Sequence, residues 1–260
     1  MENCRKYGRA PFGVAVVHGG PGAPGEMAPV ARELAGGRGI LEPLQTAASL
    51  PGQVAELETV LREQGDPPLV LIGHSWGAML CFMLAAGHPA LVRKLVLVSS
   101  GLFEEGYAAG IQATRLGRLS SDEAVEAGAL LRTLDDPQSP DRDRAFARLG
   151  GLICRADAYD PLPPPEETIE CQSEIHRKVW GEAQRLRSRG GLLALGRSIK
   201  CPVVAVHGDY DPHPADGVRI PLSGVLADFR FVLLEKCGHR PWLERAARDR
   251  FYAVLREELG

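Results

Sequence analysis

The chain has 260 residues, 45% of them apolar and 24% charged, enough to bury roughly three quarters of its unfolded surface in one substantial core. That balance is ordinary for a globular protein and excludes disorder. The formal charge of −3 offers no electrostatic basis for binding nucleic acid or an anionic membrane, and no run reaches the roughly 18 apolar residues of a membrane span.

In chain order, Met1–Pro11 is polar and lacks a signal-peptide pattern, so a cytoplasmic location is the default expectation. Phe12–Val17 is the first of five short, β-branched, nearly continuous apolar runs; the others are Leu69–Ile72, Lys94–Ser99, Val203–Val206 and Phe229–Leu234. Runs without polar alternation suit strands buried on both faces of a parallel sheet. Ile40–Leu44 is a weaker sixth candidate. Val54, Leu57, Val60 and Leu61 repeat at helical spacing after Pro51 and stop at Gly65. Trp76–Ala86 is apolar nearly all round and reads as a buried helix. Leu243, Ala247, Phe251, Val254 and Leu255 form the apolar stripe of a last helix. Alternating strands and helices predict right-handed βαβ units, with a mostly parallel sheet covered on both faces.

From Leu102 to Ser198 the rhythm breaks. No strand signal occurs there; Leu116–Leu134 and Ile169–Leu186 read as helical, and prolines cluster over Asp160–Pro165. Nearly a hundred residues is too long for a loop. The expectation is an α/β core domain over 1–101 and 199–260 with a helical cap over 102–198.

Chemistry concentrates where strands end. Gly73-His74-Ser75-Trp76-Gly77 lies directly after a strand and before a helix. A nucleophile elbow needs small residues on both sides of its serine, because the turn is strained and tightly packed. The plainer alternative is a serine that only caps the next helix. His18-Gly19-Gly20-Pro21-Gly22 follows the first strand. A glycine turn exposes N–H groups that stabilise the negative charge built on a carbonyl oxygen in acyl transfer. Gly20 is the expected donor, since Pro21 has no N–H, and Trp76 N–H is the expected second.

Seven histidines compete for the base. His239, just past the last strand, is best placed to present an imidazole above the strand ends. His18 and His207 sit in His-Gly turns, His74 inside the elbow and His88 at a helix end, all reading as structural. His176 falls in the cap as a possible substrate contact, and His213 reads as exposed. Two acids follow the Val203 strand. Asp211 is the preferred partner for the imidazole, with Asp209 as a turn residue bonding its own backbone. The order Ser75, Asp211, His239 is that of serine–acid–histidine hydrolases on this type of sheet.

Together these motifs resemble the α/β-hydrolase superfamily over most of the chain. HGGPG at His18–Gly22 with GxSWG at Gly73–Gly77 resembles its proline iminopeptidase branch. In that superfamily the acid lies in an HGxxD pattern, here His207, Gly208 and Asp211, and the base in a GH pattern, here Gly238 and His239. The resemblance has departures. The antiparallel strands that open the fold are missing or reduced before His18. The DxRGxGxS loop of iminopeptidases is replaced by Glu42-Pro43-Leu44-Gln45-Thr46-Ala47-Ala48-Ser49. The cap glutamates Glu166, Glu167, Glu170 and Glu174, which an iminopeptidase would need for the substrate amine, read as solvated surface.

The resulting expectation is a serine hydrolase cleaving a small carboxylic ester or amide through an acyl-enzyme. Its alternatives are a proline iminopeptidase-like aminopeptidase and a non-hydrolytic lyase or ligand receptor on the same fold. The partner is a small-molecule substrate, with no nucleic acid and no membrane; oligomeric state stays open. No cofactor or metal is expected. The six cysteines (Cys4, Cys81, Cys154, Cys171, Cys201, Cys237) show no CxxC or Cys/His metal spacing and read as free thiols. Trp180, Tyr159 and Phe103 are candidate pocket aromatics, with cap core as the plainer reading.

Overall fold

The central strand runs predicted from the sequence are apolar on consecutive residues because both faces of the sheet are covered there, whereas Phe229–Leu234 is an edge strand that keeps Arg230 and Leu233 exposed. In the computed structural model, which describes residues 3–136, 138–163 and 172–260, seven strands form one sheet. They are β1 (Cys4–Tyr7), β2 (Val14–Val17), β3 (Ile40–Pro43), β4 (Leu69–His74), β5 (Val92–Val98), β6 (Val203–Gly208) and β7 (Phe229–Leu234). Their order is β1-β3-β2-β4-β5-β6-β7. All neighbours are parallel except β1, which runs antiparallel to β3 in the register Cys4 to Pro43 and Tyr7 to Ile40. Thus one antiparallel strand stands at the edge, in a polar segment that carries no strand signal. Its Arg5 and Lys6 are exposed, as suits an edge strand.

The helices are α1 (Ala28–Leu34), α2 (Leu50–Gln64), α3 (Trp76–Gly87), α4 (Ile111–Arg118), α5 (Ser121–Asp135), α6 (Arg142–Ala156), α7 (Ser173–Ser188), α8 (Gly191–Ala194), α9 (Asp216–Ser223) and α10 (Arg248–Leu259). Alternation along the strands divides the core into two layers. Ala15, Val17, Leu69, Leu71, Leu95, Leu97, Val203 and Ala205 pack with residues of α2, α3, α7 and α9. Val14, Val16, Val70, Ile72, Val96, Val98, Val204 and Val206 pack with α1 and α10. No helix of the described residues is long and apolar enough to cross a membrane.

Between β5 and β6 the described residues form helices α4 to α8 and no strand of the sheet. Two readings of this stretch need correction. The continuous helix expected over Leu116–Leu134 breaks at Leu119–Ser120. There the Ser120 side chain accepts the Glu123 N–H while the Glu123 carboxylate takes the Ser120 N–H, which starts α5 afresh. Helix α6 was not anticipated. Ile169 to Cys171, the start of the second expected helix, and Glu166, Glu167 and Glu170 lie outside the described residues. Leu243, expected to open the last helix, lies in a short 3-10 turn before it, and α10 begins at Arg248.

The chain runs from β2 to β3 on one side and then crosses to β4 on the other. The crevice above the C-terminal ends of β2 and β4 is therefore the topological switch point, where ligands bind in open parallel sheets. The His18–Gly22 turn and Ser75 both emerge there.

Candidate active site

Ser75 sits between β4 and α3 with φ 51° and ψ −111°, a conformation that L-residues adopt only when the surroundings enforce it. Here they do. A Cβ on Gly73 would lie 2.4 Å from the Gly77 carbonyl oxygen, and one on Gly77 would lie 2.3 Å from that of Val17. Ser75 N–H donates to the Val98 carbonyl at 2.9 Å. Its hydroxyl makes no capping bond to α3, so the helix-cap alternative has no support.

Ser75, Gly20, Trp76 and His239 line one cavity of about 480 Å³. Gly20 has φ 47° and accepts the Ala23 N–H at 3.0 Å, closing the turn. Trp76 is buried, with its indole N–H on Gln53 Oε1 at 3.1 Å. Behind His239, Asp211 Oδ2 accepts from the imidazole Nδ1 at 2.7 Å. That contact puts the proton of the neutral ring on Nδ1 and leaves Nε2 as a lone pair. Burial holds the His239 pKa below its ordinary value, against the raising effect of Asp211. Burial alone would raise Asp211, but the neighbouring His239, His213 and His207 hold it well below the carboxylate range.

Asp209 is a different case. It is exposed, and its Oδ1 accepts the Cys237 N–H at 3.1 Å. It braces the turn after β7 rather than bonding its own backbone. His213, read as exposed, is 12% exposed in its side chain. Its Nδ1 lies 2.8 Å and its backbone nitrogen 2.9 Å from Asp211 Oδ1. Its ring stacks on His239 at 4.8 Å, and it lines the cavity. Asp211 therefore serves two imidazoles. Ligand atoms of Asp211, His213 and His239 fall within 4.8 Å of one another. Both Nδ1 atoms already bond the carboxylate, which favours a hydrogen-bonded cluster over a metal centre.

His18, His207 and His88 hold local structural bonds, to the Gly19 carbonyl, the His213 carbonyl and Glu58 respectively. His74 does more. It is buried, with Nδ1 3.0 Å from Glu26 Oε2 and Nε2 3.0 Å from the His239 carbonyl. Glu26 was missed from the sequence, where an acid in a loop carries no signal.

Helix α6 supplies much of the opposite wall through Phe146, Ala147, Gly150, Gly151, Ile153 and Cys154. His176 and Trp180 of α7 also face the cavity, whereas Phe103 packs on Phe82 in the core and Tyr159 is largely exposed. Asp157, just past α6, takes Arg115 through both oxygens at 2.8 and 2.6 Å. Its carbonyl accepts the His239 N–H at 2.9 Å. Buried Glu244 accepts the N–H groups of Gly238, Tyr159 and Asp160. Glu174 is half exposed and paired with Arg177 and Lys178, and it does not line the cavity. The five described cysteines are free.

The model of the alpha/beta hydrolase fold family matches residues 43–246, and the chain belongs to that family. A pimeloyl-[acyl-carrier protein] methyl ester esterase of Neisseria meningitidis serogroup B is 27% identical over 225 residues, 84% of this chain and 76% of that protein. Among solved structures, VinJ superposes with a TM-score of 0.66 at 20% identity, covering 98% of this chain and 93% of its own. A proline iminopeptidase of Mycobacterium smegmatis gives 0.63 at 16%, covering 98% and 93%. At such identities these two likenesses concern the fold alone.

Proposed function

We propose that this α/β-hydrolase is a serine hydrolase that cleaves a small carboxylic ester through an acyl-enzyme. The observation that carries the reading is the bond from His239 to a buried Asp211, with His239 sharing a cavity with a serine in a strained strand-to-helix turn. In this reading Ser75 Oγ attacks the carbonyl and His239 Nε2 takes its proton. Asp211 keeps the Nδ1 proton in place and offsets the charge of the imidazolium. The N–H groups of Gly20 and Trp76 stabilise the oxyanion. His239 then returns the proton to the leaving alcohol and activates the water that releases the acid.

The segment 102–198 acts as the cap, and its α6 and α7 side chains set which acyl group fits. A mostly apolar cavity of about 480 Å³ suits a small organic molecule. Ester over amide is favoured by the esterase named among the relatives. The position of Glu174, away from the cavity, weighs against capture of a free amine by that residue.

The test is labelling with a fluorophosphonate probe, with the adduct located by mass spectrometry. An adduct on Ser75 that disappears in His239→Ala, with turnover abolished in a folded Ser75→Ala, is the expected result. Retained turnover in Ser75→Ala would overturn the assignment.

A further inference from the structure

Glu26 is an acid in the wall of an apolar cavity, and one of its carboxylate oxygens is engaged by the protein. Oε2 accepts the Gly19 N–H at 3.1 Å and lies 3.0 Å from His74 Nδ1. The other nitrogen of that ring is 3.0 Å from the His239 carbonyl. A carbonyl oxygen and a carboxylate both accept, so both nitrogens of His74 must donate. A ring that donates through both nitrogens is the imidazolium, and that is the form the two acceptors call for.

Through this chain of contacts one part-buried carboxylate reaches three of the four loops of the proposed mechanism. Gly19 belongs to the turn that presents Gly20, His74 precedes Ser75, and His239 is the base. Resting on that mechanism, we propose that Glu26 and His74 form a positioning ion pair that fixes the base loop and the oxyanion turn against the nucleophile elbow. Neither touches the reacting atoms in this role.

Three further observations agree. A Cβ on Gly19 would lie 2.6 Å from Glu26 Oε2 and 2.7 Å from His74 Nδ1, so the pair itself requires glycine at that position. Burial would raise the Glu26 pKa, but His74 first, then Arg240 and His239, bring it down to about 2. Trp242 meets the His74 ring edge-on at 4.7 Å, and His239 lies 4.9 Å away, which leaves the charged ring shielded by aromatic neighbours.

The pair predicts a spectroscopic signature in the wild-type protein. Long-range ¹H–¹⁵N spectra at neutral pH should show the imidazolium pattern for His74; a single neutral tautomer there would overturn the proposal. Glu26→Gln keeps an acceptor oxygen and removes the charge, so the ring loses a proton and releases one partner. Displacements of this kind near a reacting centre cost on the order of 10²-fold. Ser75 labelling and kcat should fall about 10- to 100-fold, with KM little changed. Gly19→Ala, which breaks the junction from the other side, should do the same. A folded Glu26→Gln that labels at the wild-type rate would refute the positioning role. If the variant does not fold, the wild-type spectrum still decides the ion pair. Absence of any Ser75 adduct in the wild type would instead defeat the mechanism, and is thereby distinguished from failure of the pair.

Discussion

Replacing Asp211 by asparagine separates the two candidate acids. Asp211 Oδ1 faces two nitrogens of His213, of which the backbone one can only donate. An asparagine at 211 therefore keeps its oxygen on that side and turns its NH₂ toward His239 Nδ1. Two donors cannot share that contact, so His239 moves its proton to Nε2 and presents a donor, not a lone pair, to Ser75. A wrong tautomer of this kind costs about 10⁴-fold in kcat, or about 5.4 kcal/mol of transition-state stabilisation. Asp209→Asn preserves the one bond to the Cys237 N–H on an exposed side chain, and should stay within about 0.5 kcal/mol in stability with kcat essentially unchanged. The assay is turnover of a chromogenic short-chain ester by both variants, alongside denaturant unfolding. A loss in Asp209→Asn matching that in Asp211→Asn, or Asp211→Asn keeping a tenth of wild-type kcat, would refute the reasoning.

Gly77→Ala would place a methyl group 2.3 Å from the Val17 carbonyl oxygen and 2.5 Å from that of His18. Both are backbone atoms at the end of a central strand, so about 1–3 kcal/mol or more should be lost, measured by urea unfolding. Glu244→Ala leaves the N–H groups of Gly238, Tyr159 and Asp160 without their acceptor. At about 1–3 kcal/mol for each group left unsatisfied, it should destabilise more than any surface carboxylate, by the same measurement. Glu26, lowered from 4.5 to about 2, contributes stability that is fully present above pH 4.5 and is lost as the pH falls toward 2. On the order of 3 kcal/mol is involved, so unfolding free energy should fall more steeply over that range in the wild type than in Glu26→Gln.

The inner strands were legible because burial on both faces makes Leu69–Ile72 or Val203–Val206 apolar over consecutive residues, a signal confined to the segment itself. Cys4–Tyr7 lacks that signal: only one of its four residues is fully buried, and what makes it a strand is pairing with β3, whose partners lie 33 to 39 positions away. The break at Ser120 was present in the sequence as a serine three residues before Glu123, but leucines on both sides of it, from Leu116 to Leu134, read as one helix. Ser75, Asp211 and His239 could be selected because each follows a strand. Glu26 and His213 could not, since the first is defined by a contact to His74 48 residues away and the second by the rotamer that turns its ring onto Asp211.

What the site adds to its sequence motifs is the way His239 is held. Its side chain bonds Asp211, its ring is flanked by His74 and His213, its carbonyl meets His74, and its N–H meets the Asp157 carbonyl. That last bond comes from the end of α6, the helix whose Phe146, Ile153 and Cys154 wall the cavity. A Cβ on Gly238 would lie 2.0 Å from the same carbonyl, so the glycine of the Gly238-His239 pair is demanded by the inserted segment and not by the sheet. The wall that a ligand would touch and the main chain of the candidate base are thus one mechanical unit, clamped further by Arg115 on Asp157 and by Glu244. In the proposed mechanism, a change in α6 that alters the shape of the cavity would therefore also bear on the placement of His239, through the Asp157 carbonyl that its N–H meets.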